Sequence, residues 1–145
     1  MKLAVAPSFT VAQVDWSQEK DRLSVIRSEV FIAEQHVPPS LEWDGLDESA
    51  THLLALDAGG HAIGCARILN HECIGRMAVL KAWRGRGVGS ALLNAAVDLC
   101  RRHGHGPIRL SAQVHAIPFY AAAGFEVCSE EYPDAGIPHR DMQLS

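Results

Sequence analysis

Glycines and arginines are concentrated in one short stretch, residues 84–90, whose composition suits the binding of a phosphate group. Glycine lets the backbone approach an anion closely because no Cβ stands in the way. A partly branched apolar run ending at Val79 predicts a strand before this stretch, and apolar residues at helical spacing predict a helix after it. The first N–H groups of a helix attract anions, and arginine adds charged donors. The spacing therefore predicts a phosphate-binding loop.

Two common nucleotide-binding loops do not fit these residues. A Walker A loop is G-x-x-x-x-G-K-[ST], and both its lysine and its spacing are missing here. The dinucleotide fingerprint G-x-G-x-x-G is nearly matched, but Ser90 stands in place of its third glycine. The stretch also lies too late in the chain to open a Rossmann domain. The remaining structural alternative is an ordinary strand–helix connection that contains three glycines.

Two motifs resemble those of the GNAT superfamily of N-acetyltransferases. Arg84-x-x-Gly87-x-Gly89 is similar to the acyl-CoA pyrophosphate loop of that superfamily, and the segment 119–125, FYAAAGF, is similar to its F-Y-x-x-x-G-F segment. Residues 30–35 and 136–139 further resemble the small stand-alone ElaA/YjcF-type branch. The resemblance implies an α/β (mixed α+β) GNAT-like acyl-CoA N-acyltransferase fold, in which a mixed, mostly antiparallel sheet is flanked by helices.

The same resemblance implies acetyl-CoA as the cosubstrate. The loop would bind the pyrophosphate through its backbone, and the strand before it would bind the pantetheine arm through strand-like hydrogen bonds. The predicted cofactor-binding residues are Met77, Ala78, Val79, Arg84, Gly85, Arg86, Gly87, Val88, Gly89 and Ser90. Tyr120 is the predicted general acid, because its hydroxyl could donate a proton to the departing thiolate. The alternative for Tyr120 is a ring packed on the sheet with its hydroxyl satisfied.

The sequence leaves the general base undefined. Some members of the superfamily carry a glutamate on the central strand at the position that Cys73 occupies here. The neighbouring Glu72 would point to the opposite face of a strand. A water chain or one of three histidines, His52, His115 or His139, could serve, although for each histidine a structural role is the alternative.

The acceptor side is expected after the first helix. By resemblance, Glu34, Gln35 and His139 are predicted to contact the acceptor substrate, with Glu42 and Asp44 as further candidates. The alternative for most carboxylates of the polar segment 34–50 is a solvated loop. We expect direct transfer of an acetyl group to a primary amine of a small molecule or a peptide. The alternative function is a non-catalytic acyl-CoA-binding or sensing module.

Composition limits the remaining possibilities. The chain has 145 residues, of which 48% are apolar, so we expect a single domain over residues 1–145. A net charge of −4 argues against a nucleic-acid partner. Four cysteines without C-x-x-C spacing indicate reduced thiols, and no histidine or cysteine spacing indicates a metal site. The absence of an apolar leader through Pro7 and of a membrane-spanning run predicts a cytoplasmic protein without a membrane partner, and an exposed sheet edge would permit a homodimer.

Periodicity gives the expected order of elements: strand, helix, irregular segment, three strands, helix, a strand at 108–113, a short helix at 116–123 that contains Tyr120, and two strands. The first helix is predicted from about residue 18 to residue 31, with Arg27 facing solvent. Asp15 and Gln18 have the spacing of a capping box before it. The strand 140–144 is expected to close the sheet.

Overall fold

The structure, a computed structural model, describes residues 8–104 and 106–145. Two expectations lie outside the described residues: the absence of a leader in the first seven residues, and the interruption of regular structure at His105. Eight strands are found there: Phe9–Val14 (β1), Thr51–Asp57 (β2), Ala62–Leu69 (β3), Cys73–Val79 (β4), Ile108–Gln113 (β5), Glu126–Val127 (β6), Tyr132–Asp134 (β7) and Ile137–Leu144 (β8). The α-helices are Trp16–Arg27 (α1), Pro39–Glu42 (α2), Val88–His103 (α3) and Ile117–Ala122 (α4).

The strands form one mixed sheet in the order β1-β2-β3-β4-β5-β8-β6, and β7 pairs with β8. All neighbouring strands are antiparallel except β4 and β5, which are parallel. The parallel pairing is short: it joins Cys73 to Arg109 and Ile74 to Leu110, and then the two strands separate. The predicted fold class is confirmed, and the divergence of β4 from β5 opens a cleft in the sheet.

Helices cover the two faces of the sheet unequally. The long helix α3 buries one apolar face, including Leu92, Ala96 and Leu99, against β2, β3 and β4. Gly64 on β3 makes this packing close, because a Cβ there would lie 3.1 Å from a Leu92 methyl group. On the other face, Leu23 and other apolar residues of α1 pack on β2, β3 and β4. Over β5 and β8 that second face stays open, and this is where the cleft lies.

The start of α1 differs from the prediction. The helix begins at Trp16, and the Asp15 side chain makes no capping hydrogen bond, so the predicted capping box is wrong. The backbone carbonyl of Asp15 instead accepts the N–H groups of Gln18 and Glu19, at 3.2 and 3.0 Å. After Arg27 the helix continues as a π-helical segment, Ser28–Glu34. The wider turn carries the chain three residues beyond the expected end of the helix.

Two further expectations are corrected. Arg27 does not face solvent: its side chain is 1% exposed, because it forms ion pairs with two buried carboxylates. The last strand begins at Ile137 rather than at residue 140, and it lies inside the sheet between β5 and β6. The short strand β7 was not predicted, because Pro133 and Gly136 give this segment the composition of a loop. In the structure, Ala135 and Gly136 form the turn after β7, with φ of +52° and +76°.

Candidate active site

The cleft between β4 and β5 has a volume of about 610 Å³. Residues of β4, the π-helical segment, β5, α4 and β8 line it. It contains Met77, Ala78 and Val79 from the predicted cofactor strand, Tyr120 from α4, and Gln35 and His139 from the predicted acceptor side. Tertiary structure therefore brings residues from distant parts of the sequence to a single concave site.

The strand β4 offers a free edge to this cleft. Its antiparallel pairing with β3 runs to Val79, but on the β5 side no pairing continues beyond Ile74. Arg76 interrupts the strand in a left-handed conformation, with φ of +47°, where the register against β3 also shifts. Such a bulge bends a strand and re-aims its backbone groups. Apart from the Val79 carbonyl, which accepts from Arg84, the β5-facing backbone of residues 75–79 is thus available to an extended ligand, as a sheet edge is to an added strand.

The loop before α3 presents backbone amides that have no partner among the described residues. Gly85 and Gly87 have φ of +76° and +86°, a conformation that L-residues rarely adopt, and nothing lies within 4 Å of an added Cβ at either position. Gly87 precedes α3, and no side chain caps the helix. The N–H groups of residues 85–90 donate to no protein acceptor in the described chain. Unpaired donors at the start of a helix form an anion site, so these residues fit a pyrophosphate group.

The arginines of the loop are already engaged by other protein groups. Arg84 donates from Nε to the carbonyl of Val79 at 2.9 Å and from Nη2 to Glu34 at 2.8 Å. The Arg86 guanidinium lies 4.9 Å from the centre of the Trp83 ring. One predicted acceptor residue, Glu34, is therefore joined by an ion pair to the predicted cofactor loop rather than facing the cleft alone.

The first residues of α3 have different surroundings. Val88 is buried in the main core, whereas Ser90 is exposed. A Cβ at Gly89 would lie 3.5 Å from the ring of Phe119, an ordinary van der Waals contact, so α4 packs directly beside the loop. Val88 contributes to this site through its backbone only.

Tyr120 lies inside the cleft next to the free edge of β4. Its hydroxyl is 4.0 Å from the Met77 sulfur, and its ring makes edge contacts with Phe119 and Phe125. Burial raises the pKa of the Tyr120 hydroxyl to about 12. The hydroxyl therefore stays protonated at neutral pH, and it has no strong acceptor among the described residues.

A buried ionic network forms the floor of the cleft below the acceptor side. Arg27 donates to Glu42 at 2.8 Å and to Asp47 at 2.6 Å. Arg67 binds Asp44 through both terminal nitrogens at 2.8 Å, and Arg76 Nε lies 3.0 Å from Glu42. Most of the segment 34–50 is exposed, as its composition suggested, but two of its carboxylates, Glu42 and Asp47, are buried in ion pairs.

The network saturates two acceptor candidates, Glu42 and Asp44. Glu42 is 2% exposed and lies between two guanidinium groups. Hydrogen bonds from Arg67 outweigh partial burial and hold the pKa of Asp44 far below its usual range. For Asp47, burial works in the opposite direction, but the bonds from Arg27 and Arg67 still lower its pKa. Asp44 and Asp47 are thus held as anions by the protein itself.

Gln35 and Gln113 connect the π-helical segment to the end of β5. Gln113 Nε2 donates to Gln35 Oε1 at 2.8 Å, and Gln35 Nε2 lies 3.4 Å from Gln113 Oε1. This reciprocal amide pair joins the two walls of the cleft. Gln35 thus lies where an acceptor would pass, and it is held there by a residue from the opposite wall.

The three histidines proposed as bases occupy different environments. His52 is 2% exposed, donates from Nε2 to the Asp47 carbonyl at 2.8 Å, and stacks on Trp16. Burial lowers the pKa of His52, as expected of a structural residue outside the cleft. His115 is exposed at the rim. His139 is 8% exposed and lines the cleft, with Nδ1 2.7 Å from the carbonyl oxygen of Ile137.

Cys73, at the strand position where some family members carry a glutamate, also lines the cleft. Burial raises the pKa of the Cys73 thiol, and the pKa values of Cys65 and Cys100 are raised to about 12 and about 11. Among the described residues, no group of three or more His, Cys, Asp or Glu side chains is arranged to hold a metal ion. Within the same residues, no helix combines the length and the apolar character needed to cross a bilayer.

Five polar residues that line the cleft were not among the predicted site residues: Arg67, Arg76, Ser111, Gln113 and Asp134. Charge balance could have indicated the two arginines, because carboxylates of the acidic segment 34–50 need cationic partners where they are buried. The signal for Ser111 and Gln113 was strand periodicity. They alternate with the buried Leu110 and Ala112, which places them on the open face.

Comparison with known proteins agrees with this geometry. A model of the acetyltransferase (GNAT) domain matches residues 5–145. An uncharacterized N-acetyltransferase of Bacillus subtilis, YjcF, is 38% identical over 121 residues, which cover 81% of this chain and 86% of YjcF. The protein ElaA of Escherichia coli is 34% identical over 125 residues, which cover 81% of each chain.

Solved structures show the same arrangement of elements. The crystal structure of E. coli ElaA superposes with a TM-score of 0.84 at 30% identity, covering 94% of this chain and 99% of ElaA. An acyl-CoA N-acyltransferase from Pseudomonas aeruginosa gives a TM-score of 0.83 at 30% identity, covering 95% of this chain and all of that protein. Since the family match covers almost the whole chain and the open sheet is shared, this chain belongs to the GNAT family of acetyltransferases.

Proposed function

We propose that the chain transfers the acetyl group of acetyl-CoA directly to a primary amine of a small molecule or a peptide. The observation that carries the proposal is the set of unpaired backbone groups along one side of the cleft. The amides of residues 85–90 lack protein partners, and β4 has no strand partner on its β5 side over residues 75–79, where the Val79 carbonyl accepts from Arg84. One extended anionic thioester would satisfy both sets of groups.

The amides of the loop would bind the pyrophosphate, and the backbone of Met77, Ala78 and Val79 would hold the pantetheine arm. Arg84, Arg86 and Ser90 lie at the rim, where charge and a hydroxyl favour an anion. Tyr120 would face the thioester sulfur, because its hydroxyl lies beside Met77 on the same strand. With a pKa of about 12, this hydroxyl keeps its proton and would stabilise the departing thiolate by hydrogen bonding.

Direct transfer is favoured over a covalent acetyl-enzyme. A cysteine attacks as its thiolate, and burial raises the pKa of Cys73, the cysteine that lines the cleft. The thiols of Cys65 and Cys100 lie in the two hydrophobic cores. An amine that enters from the acceptor side would attack the thioester itself, so the protein has to position the two reactants and accept a proton.

Calorimetric titration with acetyl-CoA and an assay of CoA release over a panel of amines test this proposal. Binding followed by release with at least one amine is the expected result. The matched variants are Gly87→Val in the loop and Gly60→Val in the β2–β3 turn, whose φ values of +86° and +82° make the backbone strain equal. Gly87→Val should weaken acetyl-CoA binding by at least about a hundredfold, since its side chain fills the anion site, and Gly60→Val should not weaken it.

Cys73 also favours a second candidate, a non-catalytic acyl-CoA-binding module, because a thiol stands where some relatives have a carboxylate base. Tight binding with no CoA release from any amine in the panel would support that module. Absence of acetyl-CoA binding by the folded protein would contradict both candidates.

A further inference from the structure

We infer that His139 is the general base that removes the proton from the acceptor ammonium group, an inference that rests on the proposed acetyl transfer. The amino-acid sequence left three histidines and a water chain open for this role. Three features of the structure carry the assignment to His139: the tautomer of its ring, its place in the cleft, and the unsuitability of the other titratable groups that line the cleft.

The hydrogen bond to Ile137 fixes which ring nitrogen is basic. Nδ1 lies 2.7 Å from a carbonyl oxygen, and a carbonyl can only accept. In the neutral ring, the proton therefore resides on Nδ1 and the lone pair on Nε2. Nε2 has no partner among the described residues, and the residue lines the cleft. A fixed tautomer with an accessible lone pair is the form that a general base requires.

The position of the ring is also fixed. His139 pairs with Gln113 at the end of β5 and with Tyr132 of β7. The Tyr132 ring lies nearly parallel to the imidazole, at 21° and 6.1 Å between centroids. The Tyr132 hydroxyl donates to Asp141 at 2.5 Å, which holds the stacking ring in place. The imidazole thus stands on the β5–β8 wall, opposite the β4 wall where the thioester would lie.

The carboxylates that line the cleft are less suited than the His139 ring to take a proton from the acceptor. Glu42 lies between Arg27 and Arg76, and Asp44 accepts both terminal nitrogens of Arg67, so both carboxylates are already engaged by guanidinium groups. Asp134 is exposed, and no hydrogen bond orients it. An anion stabilised by guanidinium groups is a poor proton acceptor, because protonation would break those ion pairs.

The remaining titratable groups of the cleft are also unsuitable. Burial keeps Cys73 as a thiol, and the hydroxyl of Tyr120 keeps its proton. His115 is exposed on the turn before α4, without a hydrogen bond to fix its ring. Among the described groups of the cleft, His139 alone combines a free lone pair, burial and a fixed orientation.

The proton balance of the step is complete. The acceptor enters as an ammonium ion, and His139 Nε2 takes one proton and passes it to water through the open mouth of the cleft. The free amine forms the C–N bond to the thioester carbonyl carbon, and the C–S bond breaks with its electron pair going to sulfur. As the amide forms, nitrogen loses a second proton, and sulfur takes one up beside Tyr120. The products are the amide, the free thiol of CoA and one proton.

Two variants separate the base from a structural role. In His139→Asn, the side-chain amide can still donate to the Ile137 carbonyl, but nothing replaces Nε2. In His139→Ala both functions are lost, and added imidazole can enter the space. We expect turnover to fall by about 10²- to 10⁴-fold in both variants, with acetyl-CoA affinity unchanged, and imidazole to restore part of the activity of His139→Ala.

His115→Gln is the matched control, since His115 is a second histidine of the cleft, and it should keep turnover within about threefold of the wild type. Turnover of His139→Asn within the same range would overturn the assignment, because the donor to Ile137 alone would then suffice. A loss in His139→Ala that imidazole does not restore, with His139→Asn active, would also overturn it. If the wild type itself acetylates no amine, the proposed function fails; if it does and His139→Asn is equally fast, only this inference fails.

Discussion

The two sides of the cleft treat their polar groups in opposite ways. On the floor, Arg27, Arg67 and Arg76 pair with Glu42, Asp44 and Asp47, so that almost every charge has a protein partner. On the β4 side, the loop amides, the strand edge and the Tyr120 hydroxyl have no strong protein partner. A buried polar group without a partner is costly, so such groups are retained where a ligand completes them.

Stability and activity therefore depend on different sides of the cleft. The paired floor holds α1, α2 and the strands together across a segment that has little regular structure. The unpaired side adds nothing to the folded state by hydrogen bonding, but it is already shaped for a ligand. Substitutions on the floor should therefore change the free energy of unfolding, and substitutions on the unpaired side should change binding and turnover.

The largest effect on stability is expected for Arg27→Met. Loss of the guanidinium leaves Glu42 and Asp47 buried with fewer partners, and breaking such a pair costs about 3–5 kcal/mol. Urea unfolding measures this loss. The control is Arg22→Met on the same helix, whose ion pair with Glu19 is exposed and should contribute far less to the free energy of unfolding. At a temperature where Arg27→Met is folded, unchanged acetyl-CoA affinity would support the assignment of stability to the floor and of ligand binding to the other side. Equal losses of unfolding free energy in Arg27→Met and Arg22→Met would contradict it.

The next effect is expected for Tyr120→Phe on the unpaired side. The ring and its packing are kept, but the hydroxyl that would stabilise the thiolate is lost, so kcat should fall by about a hundredfold. Acetyl-CoA affinity and unfolding free energy should stay close to the wild-type values, because the hydroxyl has only a weak contact with Met77. Steady-state kinetics and calorimetry measure the three quantities. Undiminished kcat would remove the assigned role of Tyr120.

A smaller effect is expected on the free energy of unfolding when the pH is lowered. The pKa of His52 is lowered in the folded protein, mainly by burial, so stability should begin to fall as the pH drops below about 6.5. The pKa values of Asp44 and Asp47 are lowered as well, so a second loss should follow below about pH 4, where the unfolded chain takes up their protons.

Asp44→Asn removes the contribution of one carboxylate to this loss of stability in acid. At pH 7 it should cost only about 1 kcal/mol, because the Asp44 side chain is partly solvated. The difference in unfolding free energy from the wild type should shrink as the pH falls below about 4. A difference that stays constant between pH 7 and pH 3 would show that Asp44 does not contribute to acid unfolding.

The smallest effect is expected where the two sides meet, at the ion pair between Glu34 and Arg84. Both side chains are substantially exposed, at 32% and 42%, so Glu34→Gln should change stability by less than about 1 kcal/mol. Removing this anion should tighten acetyl-CoA binding by a few-fold at low salt, since Arg84 becomes free to face the phosphates. Weaker binding would indicate that Glu34 holds Arg84 in its binding position.

Local chemistry could be predicted from the sequence wherever it depends on neighbours along the chain. The loop 84–90, the helix after it and the strand 108–113 follow from spacing and glycine content, and each was placed to within a few residues. The sequence also placed Tyr120 correctly in a helix, because the motif around it is short and continuous. What it could not give was the partner of any charged group.

Partners are set by contacts between residues far apart in the chain, and these only the tertiary structure decided. Arg27 was predicted to face solvent because its neighbours are polar, yet it is buried by carboxylates 15 and 20 residues later. The same holds for the proposed base: the sequence left three histidines open, and only the structure shows that His139 is buried at the cleft with Nδ1 bound to the Ile137 carbonyl. Residue spacing determines which groups a segment offers, but long-range packing determines which of them are already satisfied and which remain free for chemistry.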